Sequence, residues 1–290
     1  MGGSPFPRPP LESLPQASDR WTPVLLEHGR LHVDDSSVKW ISADGLVCRL
    51  PVATLSAILL GPGTSITHAA VKACADSNTM LAWMGADGLH FYACSLNPTR
   101  SNENAKAHAR AWANRNSRTA VARKMFQERF GEVAVTEGRS VQEMRGMEGI
   151  RVRALYAQLG ERFGVTWKGR NYDKGNWEMA DDINRAISTA NSSLYAMTSA
   201  IVAGMGFLPQ LGFIHETGDI PFVCDIADVY KHETSFPAAF EVLSQSPSID
   251  TVEEQTRSLL KRRVEERRIF PRMVDLLSGL FSEKDKAEER

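Results

Sequence analysis

The stretch HETGDIPFVCDIADVYKHE, residues 215–233, contains a histidine and closely spaced aspartates, side chains that can bind a metal ion. It places His215 ahead of an apolar run that carries two aspartates, Asp225 and Asp228. On a helix, residues three apart share a face, so the two carboxylates would lie side by side. An ionised carboxylate is costly to remove from water, so the run is either a helix with one solvated face or a metal site.

A third acidic residue is a candidate for the same metal site. Glu148, in RGMEGIRVRALY, stands between Met147 and Gly149 in a mostly apolar context, where an unpaired carboxylate is unfavourable. Carboxylates with one imidazole suit a divalent ion that keeps positions open for water and phosphate, which favours Mg²⁺ or Mn²⁺ over a closed zinc site. The chemistry indicated is activation of a phosphodiester by a bound metal.

Each of these residues also has a structural interpretation. His215 could be a hydrogen-bonded structural histidine, and the aspartate pair could be a solvated helix face. Glu148 could be an ordinary partner of Arg145 or Arg151, which stand three residues before and after it. The spacing alone leaves both interpretations open.

Basic residues cluster in segments that we predict to be helical, although the formal net charge of the 290-residue chain is −1. Such clusters can neutralise DNA phosphates. The alternative is a solvated helix face balanced by neighbouring glutamates. The candidates for DNA binding are Arg118, Arg123, Arg145, Arg151, Lys261, Arg262, Arg263, Arg267 and Arg268.

The predicted secondary structure divides the chain into two regions. Short segments with strand character, broken by Gly, Asp and Pro, predict a sheet with one small helix over residues 23–96. A period near 3.6 then prevails and predicts helices at roughly 104–130, 140–163, 181–205, 223–245 and 250–282. The predicted fold class is α+β, a small N-terminal β-sheet domain followed by a larger all-α catalytic domain over residues 97–282.

The ends of the chain, its cysteines and its apolar runs indicate where in the cell the protein is located. Residues 1–22 form a Pro-rich leader without the apolar core of a signal peptide, and residues 283–290 form a charged tail. The four cysteines show no metal or disulfide spacing, and no apolar run reaches the roughly 20 residues of a membrane span. We therefore predict a cytoplasmic protein with no membrane partner.

Three motifs together resemble a known family. RGMEGIRVRALY, LGFIH and FVCDIADVYK follow a β region that contains LLGPGTSITHAAVKACADSNTMLAWMGADGLHFYA. In these segments the chain closely resembles the CRISPR-associated adaptation integrase, the first of the two universal spacer-acquisition proteins, in its type I-E branch. The resemblance implies a metal-dependent enzyme that joins the 3′-hydroxyl ends of short DNA fragments into the CRISPR repeat by transesterification. It also implies endonuclease activity on branched DNA.

The resemblance assigns roles to residues and partners. Glu148, His215 and Asp228 would be the ligands of Mg²⁺ or Mn²⁺, and Asp225 would be a fourth catalytic residue that supports the site. It implies a homodimer formed through the β domains, double-stranded and branched DNA as substrates, and a larger complex with the small second CRISPR adaptation protein. Two alternatives stay open: a nuclease for which integration is secondary, and a DNA-binding scaffold whose acidic residues are structural.

Overall fold

The computed structural model describes residues 24–35, 37–55, 57–85, 91–95, 102–131, 136–170, 181–245 and 251–281. The predicted leader and the predicted tail lie outside these described residues. The described part begins with strands and one short helix and continues with helices only. This order confirms the predicted α+β class.

The N-terminal region consists of two four-stranded sheets, with strand orders β1-β5-β7-β8 and β4-β3-β2-β6. The prediction of a single sheet was therefore wrong, whereas the one short helix, α1, is found at His68–Asp76. All four residues of β5 are buried, so this strand needs a packed layer on both of its faces. The strands are β1 Val24–Leu26, β2 Gly29–Asp34, β3 Ser37–Ser42, β4 Val47–Leu50, β5 Ala57–Leu60, β6 Thr64–Ile66, β7 Met80–Met84 and β8 Phe91–Cys94.

The helical region contains more and shorter helices than predicted, because three predicted helices are each divided in two. The segment 104–130 breaks at Asn114, whose side chain accepts hydrogen bonds from the backbone N–H groups of Asn116 and Ser117 and so begins a new helix. The helices are α2 Glu103–Ala113, α3 Arg115–Phe130, α4 Val141–Phe163, α5 Asp182–Gly204, α6 Pro221–Tyr230, α7 Ser235–Ser244, α8 Val252–Glu266 and α9 Ile269–Leu280.

The other two divisions also have local causes. Between α6 and α7, residues 231–234 form a turn in which the backbone N–H of Thr234 donates to the carbonyl of Lys231. Between α8 and α9, Arg268 adopts a left-handed backbone conformation with φ of 51°, which a right-handed helix cannot continue through. The helical period of 3.6 continues across both breaks, so the sequence pattern did not predict them.

Helix α5 is the centre of the helical core. It is buried on most of its surface, and α6, α7, α8 and α9 pack around it. The same apolar cluster includes Leu59, Met80 and Ala82 of β5 and β7, so the sheet and the helices share one core. Within the described ranges, none of the helices combines the length and apolar composition that crossing a bilayer requires.

Candidate active site

The predicted site residues come from three parts of the chain: α4, α6 and the segment of residues 205–220 that connects α5 to α6. His215 belongs to this connecting loop, Asp225 and Asp228 belong to α6, and Glu148 belongs to α4. Pro221 begins α6, a position where its missing N–H costs no hydrogen bond. The loop therefore folds back directly over the first turns of α6.

Asp225 holds this loop in place. Its carboxylate is buried, and Oδ2 accepts hydrogen bonds from the backbone N–H groups of Phe213 at 2.6 Å and Ile214 at 3.0 Å. Its Oδ1 accepts from the backbone N–H of His215 at 2.9 Å. Hydrogen bonds to a charged acceptor are the strong ones, so they replace the water that the buried carboxylate has lost.

Asp225 also orients the imidazole of His215. Nδ1 of His215 lies 2.7 Å from Oδ1 of Asp225. An ionised carboxylate can only accept, so Nδ1 carries the proton and Nε2 is the nitrogen left for a ligand or a substrate. The hydrogen bond to Asp225 raises the pKa of His215 above its ordinary value although burial opposes it. With 36% of its side chain exposed, His215 can be reached from solvent.

Asp228 has a different environment, because it is paired with cations. Its Oδ1 forms an ion pair with Lys231, and its Oδ2 lies 3.8 Å from Nη1 of Arg129 and 4.0 Å from Nε2 of His215. Burial alone would raise the pKa of Asp228, but the charges of Lys231 and Arg129 outweigh it and hold this pKa below its ordinary value. Asp228 is therefore ionised at neutral pH.

Lys231 is a buried cation built into the site. Its Nζ donates to the hydroxyl of Tyr195 at 2.5 Å and lies 4.6 Å from the centre of that ring. Burial would lower the pKa of Lys231, but Asp228 and Tyr195 outweigh burial and raise it. The lysine therefore keeps its charge when it is enclosed.

Glu148 reaches the same place from α4. The guanidinium nitrogen Nη1 of Arg129 that faces Asp228 also forms an ion pair with Oε1 of Glu148. Burial raises the pKa of Glu148, and Arg129 only partly opposes this. Beside the carboxylate lies a cavity of about 190 Å³, lined by Arg129, Phe130, Glu148, Arg151, Val152, Leu155 and His232.

A larger cavity of about 600 Å³ lies next to Lys231. Its walls combine aromatic rings with basic side chains, and the rings of Tyr156 and Trp167 lie 4.6 Å apart. Its lining residues are Val152, Arg153, Tyr156, Trp167, Gly169, Arg170, Asn191, Lys231 and Phe236.

Two of the three predicted metal ligands, Glu148 and Asp228, converge on one cation, which in this structure is Arg129, and the third, His215, has its Nε2 4.0 Å from Oδ2 of Asp228. Among the described residues, no three His, Cys, Asp or Glu side chains are grouped closely enough to hold a metal ion in this arrangement. The donor chemistry, two carboxylates with one imidazole nitrogen, does suit Mg²⁺ or Mn²⁺. An ion held by Glu148 and Asp228 would take the place between them that the guanidinium now fills.

Four of the nine predicted DNA-binding residues lie on α3 and α4. Arg151 covers the ring of Phe130, 4.4 Å from its centre, at the cavity beside Glu148. Arg145 is exposed on α4. Arg118 pairs with Glu216 at 2.8 Å, and Arg123 donates to the backbone carbonyls at positions 136 and 139.

The other five lie on α8 or at its junction with α9, far along the chain from Glu148 and His215. Most of them form ion pairs with acidic side chains. Arg262 and Arg263 both pair with Glu241, and Arg267 lies 3.3 Å from Glu233. Lys261 lies 4.0 Å from Glu265, and Arg268 makes the junction between α8 and α9. Balancing glutamates were expected, but two of those found lie elsewhere in the fold, Glu241 in α7 and Glu233 in the turn between α6 and α7.

Arg129, Lys231 and Tyr195 were missed by sequence reasoning. Lys231 had a local signal, because it follows Asp228 by three positions and caps the C-terminal end of the same helix. Arg129 comes from α3 and Tyr195 from α5. No local spacing connects these two with α6, so only the packing of the helices shows them.

The raised pKa of His215 predicts how the stability of the metal-free protein depends on pH. Its folded pKa lies above the ordinary value of 6.5, so its contribution is fully present below about pH 6.5 and is lost as the pH rises through the folded pKa. We expect wild type to gain stability over His215→Gln on going from pH 8 to pH 6.5. Urea unfolding with chelator at both values measures this, and a pH-independent difference between the two proteins would contradict it.

The chain is similar to known proteins over most of its length. The sequence matches the family described as CRISPR associated protein Cas1 over residues 24–139 and 131–260. A CRISPR-associated endonuclease Cas1 2 from Chlorobaculum tepidum is 42% identical over 231 residues, covering 80% of this chain and 78% of the relative. Another, from Thermus thermophilus, is 39% identical over 285 residues, covering 96% of this chain and 86% of the relative. A crystal structure of a TtCas1–DNA complex superposes with a TM-score of 0.80 at 39% identity, covering 89% of this chain and 91% of that one.

Proposed function

Because the chain belongs to the Cas1 family of CRISPR-associated proteins, we propose that it is a metal-dependent DNA integrase and endonuclease. It would join 3′-hydroxyl ends of short DNA fragments into the CRISPR repeat by transesterification and cut branched DNA. The observation that carries the proposal is the meeting of Glu148 and Asp228 at one buried cation, with Nε2 of His215 4.0 Å from Oδ2 of Asp228. The names of the relatives as endonucleases and the DNA complex of one solved relative support DNA as the substrate.

Each residue of the site has a task in this chemistry. Glu148, Asp228 and Nε2 of His215 would hold Mg²⁺ or Mn²⁺, and the bound ion would supply Lewis-acid stabilisation of charge on the phosphate. Asp225 keeps the proton on Nδ1 of His215, so that the lone pair of the neutral imidazole stays on Nε2. Water or a DNA 3′-hydroxyl can attack the same phosphorus, so one set of residues serves cleavage and joining.

The volume and the lining of the 600 Å³ cavity beside Lys231 suit a DNA end as its ligand. Its volume lies in the range of small-molecule pockets. Aromatic rings such as Tyr156 and Trp167 are surfaces on which unstacked bases bind, and arginines such as Arg153 suit phosphates. We propose that it receives the single-stranded end of the fragment.

The assembly is also part of the proposal. From the resemblance of the motifs in α4 and α6, we propose that the chain belongs to the type I-E branch, forms a homodimer through residues 23–96 and joins the small second adaptation protein. The edge strand β4 supports a contact there, because Val47 and the preceding Leu46 are 57% and 65% exposed. The protein would work in the cytoplasm, where its DNA substrates lie.

A strand-transfer assay run beside a cleavage assay tests the function. Purified protein and its small partner are given a fragment with free 3′-hydroxyls, a repeat-bearing plasmid, and Mn²⁺, Mg²⁺ or chelator. Metal-dependent joining by wild type and its loss in His215→Ala would support the integrase. Cleavage of branched DNA without joining would favour the nuclease, and indistinguishable DNA handling by both proteins would favour the scaffold.

DNA binding is expected to weaken steeply with salt despite the net charge of −1. Each neutralised phosphate contributes roughly −0.9 to the slope of log affinity against log salt, so about four contacts give about −3.6. Fluorescence anisotropy with a labelled branched duplex, at 50 to 300 mM monovalent salt and with chelator so that the duplex is not cut, measures the slope. A flat titration would contradict an arginine-based DNA surface.

Arg145→Ala is expected to reduce strand transfer more than stability. Arg145 is exposed and precedes Glu148 by three positions on α4, so it can contact a phosphate at the site while contributing little to packing. We expect about a tenfold loss of strand transfer, and a free energy of unfolding within about 0.5 kcal/mol of wild type. Arg162→Ala, near the other end of α4, is the control. A large drop in melting temperature for Arg145→Ala would contradict the prediction.

A further inference from the structure

Helix α2 is bound to the loop before His215 by three side chains spaced four residues apart. Nδ2 of Asn104 donates to the carbonyl of Met205 at 2.8 Å, at the solvent edge. Nε1 of Trp112 donates to the carbonyl of Gly212 at 3.0 Å. His108 lies between them on the same helix face, so the three form one stripe along the loop, called here the α2 stripe.

His108 makes two hydrogen bonds in this stripe. The backbone N–H of Leu208 donates to Nδ1 at 3.3 Å, and Nε2 lies 2.8 Å from the carbonyl of Leu211. Because an N–H points at Nδ1 and a carbonyl at Nε2, the imidazole is neutral with its proton on Nε2. Both ring nitrogens are therefore committed to the backbone of the loop.

The surroundings of His108 keep it neutral and fixed. Its side chain is fully buried, and rings enclose it at centre distances between 4.3 and 6.0 Å: Phe222, Phe281, Phe213 and Phe207. Burial lowers the pKa of His108 to about 4. The apolar cage leaves the two backbone groups as its polar partners, so a side chain without hydrogen-bonding atoms would leave both unpaired.

The loop passes directly from the α2 stripe into the site. Gly212, which Trp112 holds, is followed by Phe213 and Ile214, whose amides bind Asp225, and then by His215. A Cβ on Gly212 would collide with the carbonyl oxygen of His215 and with Pro221, so the turn is closed too tightly for any other residue. The backbone that leads into His215 is thus held from two sides, by α2 and by α6.

We propose that His108 and Trp112, with Asn104 at the edge, are positioning residues that fix the backbone ahead of His215 and so set the direction of its Nε2. This inference rests on the proposed function for its effect on catalysis. Its structural part does not, because the rigidity of residues 213–215 can be measured without any reaction.

The test compares variants that remove hydrogen bonds and keep the rings. His108→Phe and Trp112→Phe preserve aromatic packing, His108→Gln returns an amide that can donate to Leu211, and Glu103→Gln is an exposed control on the same helix. The readouts are amide hydrogen exchange at residues 213–215, the dissociation constant for Mn²⁺ alone, and kcat and KM for strand transfer. The melting temperature of each variant shows that it is folded.

In the two Phe variants we expect at least tenfold faster exchange at residues 213–215 and about tenfold weaker Mn²⁺ binding. We expect kcat to fall about tenfold while KM for DNA stays within twofold, because a displaced imidazole affects the reaction more than substrate binding. His108→Gln should recover part of each loss, and Glu103→Gln should match wild type.

Exchange, Mn²⁺ affinity and kcat that stay at wild-type values in folded His108→Phe and Trp112→Phe would overturn the inference. If wild type itself neither binds Mn²⁺ nor joins DNA, the proposed function has failed. The exchange rates alone then test whether the α2 stripe fixes the loop. Faster exchange confined to residues 205–215 would then still support the α2 stripe, and unchanged exchange would still refute it.

Discussion

Glu148→Gln is expected to reduce metal-dependent strand transfer by on the order of 10³-fold, comparable with removing one preorganised electrostatic group from an active site. The amide keeps the shape of the side chain but carries no charge, so it is a poor ligand for a hard divalent cation. The same substitution should cost little stability. Burial already raises the pKa of Glu148, which means that folding disfavours its charged form.

Strand-transfer rates at saturating DNA in Mn²⁺ and in Mg²⁺, with melting curves of the same preparations, measure both halves of this prediction. Glu161→Gln is a suitable control, because this glutamate is exposed near the far end of α4. A variant that is folded and joins DNA at the wild-type rate would remove Glu148 from the reaction. It would leave the carboxylate as a structural partner of Arg129.

Asp225→Ala is expected to have the largest effect on stability. The substitution leaves the backbone N–H groups of Phe213, Ile214 and His215 without their acceptor. Each unsatisfied group costs about 1–3 kcal/mol when buried. We expect a loss on the order of 4 kcal/mol in the free energy of unfolding, together with loss of strand transfer, because His215 also loses the partner of its Nδ1.

Urea unfolding of metal-free protein measures this loss. Asp225→Asn should fall between Ala and wild type, because it keeps the shape and one carbonyl acceptor. Asp219→Ala, an exposed aspartate in the same loop, should stay within about 0.5 kcal/mol of wild type. If Asp225→Ala unfolds at the same urea concentration as Asp219→Ala, the carboxylate does not organise the loop.

The two aspartates of α6 are thus stabilised in different ways. Asp225 is compensated by backbone N–H groups of the loop, which are fixed parts of the chain. Asp228 is compensated by the side chains of Arg129 and Lys231. A side-chain cation can be replaced by another cation, so Asp228 is the aspartate of the pair that suits a ligand role.

Much of this organisation was predictable because it depends on local sequence. The change from strand-like segments to a period near 3.6 gave the α+β order, and the Asp-x-x-Asp spacing placed both aspartates on α6. Periodicity reports only which face a residue occupies. It therefore missed the breaks at Asn114 and Arg268, which depend on the conformation of single residues.

The candidate catalytic residues could be identified without a structure, because their types, their order and their shared helix face are properties of neighbouring positions. What each of them contacts depends on how the helices and strands pack. Arg129 joins Glu148 to Asp228 because α3, α4 and α6 pack together, and His108 meets the loop before His215 across about a hundred positions of chain. Contacts of this kind arise from the packing of whole elements, which no spacing within a single element records.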